Sequence, residues 1–327
     1  MGKNYTAAEE PLPESPNESG WEDAFAAPLS AVVPRALAGM RIDQALAKMF
    51  PQYSRNRLQT WLKTGCVLVD GSHVASSSRT IGGERIELAP PPARDVAMPE
   101  AQRMPLDIVF EDAHLIVINK PAGLIVHPGA GNPDRTLMNA LLAHAPALRQ
   151  VPRAGIVHRL DKDTSGLLVV AKNLTAQARL AEQLASRSVK RSYLALVHGD
   201  PPARGTIDAP IGRDTRVRTR MAVTQRGKQA RTSYRVLERF GNAALLECRL
   251  DTGRTHQIRV HLQHIRCPVV GDPVYRRGTR HGIAFPRQAL HAAELELLHP
   301  HSGKRMHWGA PLPEDMANLL ARLRHDG

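Results

Sequence analysis

The densest run of side chains able to do chemistry is Gly155-Ile156-Val157-His158-Arg159-Leu160-Asp161-Lys162-Asp163-Thr164-Ser165-Gly166. It stands directly before Leu167-Leu168-Val169-Val170-Ala171, a continuous apolar stretch that reads as a buried strand. Charge at the mouth of a core strand is costly unless it is paired or open to a cleft. A carboxylate set among bases keeps its charged form and can act as a nucleophile or as a base. Asp161 is therefore the candidate reacting group; a polar turn with surface ion pairs is the plain alternative. Other chemistries find no support. The order His158-Arg159-Leu160-Asp161 is not that of a kinase catalytic loop, and Ser165 does not sit in GxSxG. Neither a dinucleotide fingerprint nor a P-loop occurs, and Asp161 with Asp163 lacks an evident third metal ligand. No cofactor and no metal are expected.

A second cluster, Leu250-Asp251-Thr252-Gly253-Arg254-Thr255-His256-Gln257-Ile258-Arg259-Val260-His261, has the form of a helix start. Thr255 can cap a helix whose Ile258, Leu262 and Ile265 make the apolar stripe. Arg254 would then stand just ahead of a helix N-terminus, a place suited to an anion such as a carboxylate or phosphate. A solvated Arg254 is the competing reading. A third feature is Asp214-Thr215-Arg216-Val217-Arg218-Thr219-Arg220-Met221, in which arginines at alternate positions project from one face of an extended segment. Such a ribbon can track phosphates, or can be a solvated edge strand.

The elements that must position these groups fall into four segments. Residues 1–34 combine five prolines with acidic and small polar residues, a composition that cannot bury enough apolar area to fold. A small unit, 35–89, follows. Ile42, Ala45, Leu46, Met49 and Phe50 recur at helical spacing, and Pro51 closes that helix. Ser54 reads as the cap of a second helix with Leu58, Trp61 and Leu62 inward and Arg55, Arg57 and Lys63 outward. Val67–Val69 and Glu84–Leu88 read as strands. A proline-rich linker, 90–104, leads to the large unit, 105–327. There, strands at 114–119, 167–171, 193–197, 243–250, 291–298 and 305–308 alternate irregularly with helices at 137–144 and 174–187. This predicts an α+β fold with a mixed, largely antiparallel sheet, not a βαβ repeat.

The formal net charge is +13, although residues 1–30 hold six acids and only Lys3 as a base, so the folded part is more basic still. Nucleic acid is the usual partner of such a surplus. Aromatics are 4%, too few for a broad base-stacking platform. Cys66, Cys248 and Cys267 form no CxxC pair and read as reduced thiols. With no apolar run long enough to span a bilayer and no signal or transit pattern at the start, a cytoplasmic protein is expected.

The small unit resembles an S4 RNA-binding domain, and from about residue 36 the chain resembles the RluA-type family of pseudouridine synthases. The likeness rests on Ile118-Asn119-Lys120-Pro121-Ala122-Gly123-Leu124-Ile125-Val126-His127-Pro128-Gly129-Ala130-Gly131, on the 158–166 run and on Gly253 to His261. Gly271-Asp272-Pro273-Val274-Tyr275 and Phe285-Pro286-Arg287-Gln288-Ala289-Leu290-His291-Ala292 extend it. The resemblance implies a pseudouridine synthase fold and the isomerisation of uridine in RNA without a cofactor. It implies Asp161 as the catalytic residue, Tyr193 as the residue stacking on the uracil and Arg254 as the arginine paired with Asp161. RNA contacts are expected from His158, Arg159, Thr164 and Ile258 near the site, from Arg216, Arg218 and Arg220, and from Arg55, Arg57 and Lys63 of the S4-like unit. The family branch it resembles most acts on bacterial 23S ribosomal RNA at the helix 69 stem-loop, as a monomer. Other ribosomal or transfer RNA sites, a non-catalytic assembly factor, and a glycosidase with two carboxylates remain the alternatives.

Overall fold

The computed structural model describes residues 29–50, 53, 55–89, 99–129, 131–215, 217, 220–275 and 283–325, with only the backbone of Asn56 and Arg57. The chain divides into two compact units, the first formed by the residues up to Pro99 together with Gly129–Gly131 and the second by Glu100–Pro128 and Asn132–Gly327. Each is described by itself.

In the first unit, β1 (Leu29–Val32), β3 (Arg85–Leu88) and β2 (Val67–Val69) make a three-stranded antiparallel sheet in that order. Helices α1 (Ile42–Met49) and α2 (Arg55–Thr64) pack on it through Leu46, Leu58, Trp61 and Leu62, all buried with Ile86 and Leu88. The Tyr53 and Trp61 rings meet edge to face at 4.9 Å, an arrangement that the ring quadrupoles favour. Order begins earlier than the composition predicts. Leu29 and Ala31 pack against the core, and Val33 is buried, so the last residues of the proline-rich segment belong to the sheet. Residues 1–28 lie outside the described residues.

The second unit is built on a nine-stranded sheet of order β4-β5-β6-β13-β7-β12-β11-β8, with β14 paired to β13. The strands are β4 (Ile108–Glu111), β5 (Leu115–Lys120), β6 (Ser165–Ala171), β7 (Lys190–His198), β8 (Arg204–Asp208), β11 (Arg231–Phe240), β12 (Ala243–Leu250), β13 (Leu290–Leu298) and β14 (Arg305–Gly309). A separate two-stranded sheet joins β9 (Ile211–Arg213) and β10 (Met221–Val223). All pairings in the large sheet are antiparallel except β6 with β13. Helices α3 (Leu137–His144), α4 (Leu174–Ala185), α5 (Gln257–His264) and α6 (Glu314–His325) flank it. This is the mixed, largely antiparallel α+β architecture expected.

Strand β6 is buried along its whole length because it lies inside the sheet, which explains its unbroken apolar run. Its first residues meet β13 side by side, Ser165 opposite His291 and Gly166 opposite Ala292. Only glycine fits at 166: φ is +110°, and a Cβ would stand 2.2 Å from the Ala292 carbonyl oxygen. The expected linker is shorter than 90–104. The Asn139 side chain donates to the Glu100 carbonyl (2.8 Å), and Gln102 N–H donates to Asn139 O (3.0 Å), so these residues already belong to the second unit.

Candidate active site

The loop 161–164 projects from the buried end of β6. Two enclosed cations hold its backbone. Lys120, fully buried at the end of β5, donates to the carbonyls of Pro121 (2.8 Å), Leu124 (2.8 Å) and Lys162 (2.9 Å). Burial pushes its ammonium down to about 7, against the pull of Asp163 and Asp161. Arg287 donates to Asp163 O (3.0 Å) while its Nε and Nη2 grip Asp315 at 2.6 and 2.8 Å. A loop whose carbonyls are satisfied by protein donors does not need water to hold its shape. The Asp161 carboxylate stands at its tip, 19% exposed.

Arg259 meets that carboxylate. Its Nη1 donates to Asp161 Oδ2 at 2.9 Å, while Nε and Nη2 donate to the two oxygens of Asp272 at 2.6 and 3.0 Å. Asp272 is fully enclosed and also accepts Val274 N–H (2.8 Å) and Tyr275 N–H (2.9 Å). Burial raises the Asp272 carboxyl, but the Arg259 bonds and charge and these two amides outweigh it and hold the group below the usual carboxylate range. The ring of Tyr275 lies 5.0 Å from the guanidinium carbon. Arg259 is thus a rigid cation, bidentate on one acid, with one N–H pair left for the other.

This corrects the expectation for Arg254. Its Nε donates to the Gln229 carbonyl at 3.2 Å, and Arg259, inside α5, makes the pairing with Asp161. The start of α5 explains the difference. Thr255 does not cap the helix; His256 occupies the cap position in a left-handed conformation (φ 55°, ψ 21°) with no side-chain cap bond. Gln257 takes over the backbone, its side-chain oxygen accepting Arg254 N–H (2.9 Å) and the Thr252 hydroxyl (2.7 Å). Its amide donates to Arg231 O and Thr232 Oγ1, both at 3.0 Å. The enclosed His261 adds a bond to Thr232 Oγ1 (2.8 Å) and one to Ala209 O (2.9 Å), locking the helix and so Arg259.

Tyr193 lies in β7 opposite Ala292 and Cys248, and its side chain is nearly enclosed. Burial raises its phenol, Arg191 opposes this and Asp161 adds to it, so Tyr193 sits within electrostatic reach of Asp161 and keeps its proton at neutral pH. His158 faces inward: its Nε2 accepts Val169 N–H (3.1 Å), and burial pushes it down to about 3. It fixes the loop to β6 and remains uncharged. Thr164 and Ile258 are buried to about the same degree as Tyr193, and Thr164 accepts from Gln288 at 3.3 Å. Arg159 is exposed beside the site. Arg220 has its guanidinium carbon 5.3 Å from the Tyr275 ring, and Asp214 N–H bonds Arg220 O (2.9 Å). Arg220 thus stands directly before β10, which pairs antiparallel with β9. Arg216 and Arg218 lie outside the described residues, as does the side chain of Arg57. In the first unit Lys63 is exposed, but Arg55 is engaged: with Arg41 and Gln59 it binds the buried Asp43, with Arg55 Nη2 at 2.7 Å. Lys120, His256, Arg259, Asp272 and Tyr275 were not singled out for roles from the sequence, although an apolar strand ending in Lys-Pro places that lysine inward. Among the described residues, no three His, Cys, Asp or Glu side chains gather as a metal-ligand set.

The Asp161 carboxylate, clamped by the enclosed Arg259, thus stands with the buried Tyr193 and the exposed Arg159 nearby. The mixed sheet and this loop define a pseudouridine synthase fold. The chain belongs to the RNA pseudouridylate synthase family, whose pattern covers residues 114–264, and an S4 domain covers 40–85. It is 54% identical over 99% of its length to the ribosomal large subunit pseudouridine synthase D of Nitrosomonas europaea, covering 94% of that protein. To the protein of the same name from Escherichia coli K12 it is 49% identical, over 91% of this chain and 95% of that one. Among solved structures, human RNA pseudouridylate synthase domain containing 4 matches with a TM-score of 0.53 and 28% identity, over 66% of this chain and 92% of that one. The chain is accordingly an isomerase of the pseudouridine synthase class. Among the described residues, no helix is long and apolar enough to cross a membrane.

Proposed function

We propose that this enzyme converts uridines of large-subunit ribosomal RNA, in the helix 69 stem-loop, to pseudouridine, with Asp161 as the reacting carboxylate. The observation that carries the reading is the Asp161–Arg259–Asp272 chain, which presents one carboxylate, partly exposed, in a fixed orientation. The reaction breaks the uracil N1–C1′ bond, turns the base and joins C5 to C1′, so atoms are conserved. Asp161 either attacks C1′ or removes a proton from the sugar; in both cases Arg259 supports the charged carboxylate and aims it. Tyr193, which keeps its proton, serves as the surface on which the flipped uracil rests. The uridine must leave its stack to arrive there, and a loop lowers that cost. The apolar wall of β6 behind the loop keeps water from the open glycosidic bond. The net charge of +13, the S4 domain and the names of the relatives support a ribosomal RNA substrate. The same reading makes the protein a single-chain cytoplasmic enzyme.

Release of tritium from ribosomal RNA labelled at uridine C5 tests the reaction. Asp161→Asn is expected to stop release while RNA binding persists, and preserved turnover would remove Asp161 from its role. Free uracil among the products would indicate a glycosidase. Mapping pseudouridines in cells lacking the gene tests the target: the helix 69 positions should revert to uridine.

A further inference from the structure

His256 has a geometry that neither the fold nor the cap of α5 requires. An N-cap residue normally takes an extended conformation and caps with its side chain. Here the backbone is left-handed, a region non-glycine residues avoid, and no side chain caps the helix; Gln257 instead accepts Arg254 N–H from the turn ahead of it. The imidazole is held instead between two groups. Its Nδ1 lies 2.8 Å from the Tyr275 hydroxyl, and its Nε2 lies 3.9 Å from Asp161 Oδ1. Met221 N–H already donates to the Tyr275 oxygen at 2.9 Å, which leaves the hydroxyl proton free to donate to Nδ1. With that donation the neutral ring carries its proton on Nε2, facing the carboxylate. Burial, which holds His256 below its ordinary value, keeps the ring in that neutral form.

The 3.9 Å gap is too long for a hydrogen bond. It suits one intervening oxygen that accepts from an N–H on one side and donates to a carboxylate on the other. A hydroxyl does both. The ribose of the target nucleotide brings such a group next to the anomeric carbon that the reaction attacks. We propose that His256 Nε2–H and Asp161 Oδ1 form a two-sided clamp on the ribose 2′-hydroxyl of the flipped uridine, with Tyr275 fixing the imidazole tautomer. His256 is then a specificity residue that requires RNA at the reacting nucleotide and sets the sugar against Asp161. The inference rests on Asp161 being the reacting carboxylate.

The test compares a target stem-loop RNA with the same RNA carrying a single 2′-deoxyuridine at the target, for wild type, His256→Ala, His256→Gln and Tyr275→Phe. Single-turnover tritium release and dissociation constants are both measured, and melting temperatures show which variants fold. Wild type should favour the ribo target about tenfold or more, the worth of a hydrogen bond pair next to a charge. His256→Ala should lose that factor on the ribo target and nothing further on the deoxy target. His256→Gln, whose amide reaches the Nε2 position, should recover part of the preference, and Tyr275→Phe should weaken it by releasing the ring. If the deoxy RNA is bound but not converted, the dissociation constants make the same comparison. Equal losses on both RNAs, or an unchanged ribo rate in His256→Ala, would overturn the clamp. Asp161→Asn separates the two readings: turnover by that variant removes the catalytic assignment itself, whereas a silent Asp161→Asn with a silent sugar contrast removes only the clamp.

Discussion

Arginines 254 and 259 lie five residues apart, and their replacement should have very different results. In Arg259→Met the apolar stem is kept and the guanidinium removed. Asp272, fully enclosed, would lose both of its charged hydrogen bonds and retain the amides of Val274 and Tyr275. Stripping one partner from a buried pair costs about 3–5 kcal/mol. For a unit of this size that is a fall in melting temperature on the order of 10 °C. Asp161 would lose its 2.9 Å donor, and removing a fixed donor of this kind costs on the order of 10²–10³ in rate. In Arg254→Met the loss is one 3.2 Å bond from an exposed guanidinium to Gln229 O. That is about 1 kcal/mol or less, with a change in turnover of about threefold at most. The assay is single-turnover tritium release well below both melting points, beside thermal unfolding followed by circular dichroism. A reversed order, with Arg254→Met inactive and Arg259→Met near wild type, would refute the ion-pair chain as the frame of the site.

Three further outcomes follow from the same geometry. Lys120→Met leaves the carbonyls of Pro121, Leu124 and Lys162 without their donor; about 3 kcal/mol of stability should go, and kcat should fall with KM nearly unchanged, a shift in KM alone counting against a loop-positioning role. Gly166→Ala forces a Cβ against Ala292 at a φ that disfavours it, so a loss on the order of 3 kcal/mol or more is expected by urea unfolding, and a stable, active variant would mean that β6 and β13 can separate there. Burial raises Asp43, but bonds from Arg41, Arg55 and Gln59 prevail and hold it down to about 2, from an ordinary 3.8. A depressed carboxyl adds stability that is present above the unfolded value and is lost as pH falls through the folded one. The protection of amides in α1 and α2, taken relative to intrinsic exchange at each pH, should therefore fall between about pH 4 and pH 2, and Asp43→Asn should flatten that dependence; an unchanged slope would detach the α1–α2 pairing from this carboxylate.

What the sequence could reveal was set by the length scale of the signal. Strand β6 and helix α3 were legible because an apolar run is written in contiguous letters, and the structure adds a cap at Thr136 that the helix reading did not use. Asp161 was legible for the same reason, as a charge abutting an apolar run. Arg259 was not, because its meaning depends on where α5 begins. A helix capped by Thr255 would aim Arg254 at an anion; the left-handed turn at His256 and the Gln257 side chain give that task to a residue inside the helix. No local pattern marks such a turn, since the hydrogen bond that holds its imidazole comes from Tyr275, 19 residues on in the chain. Lys120 shows the converse. It closes an apolar strand, and the pleat of β5 turns it inward, where the carbonyls of Pro121 and Leu124 and that of Lys162 in the 161–164 loop find their donor. The carboxylate proposed to react was thus visible as composition, whereas the groups that hold it were visible only as contacts, and the predicted contrast between Arg254 and Arg259 tests that difference.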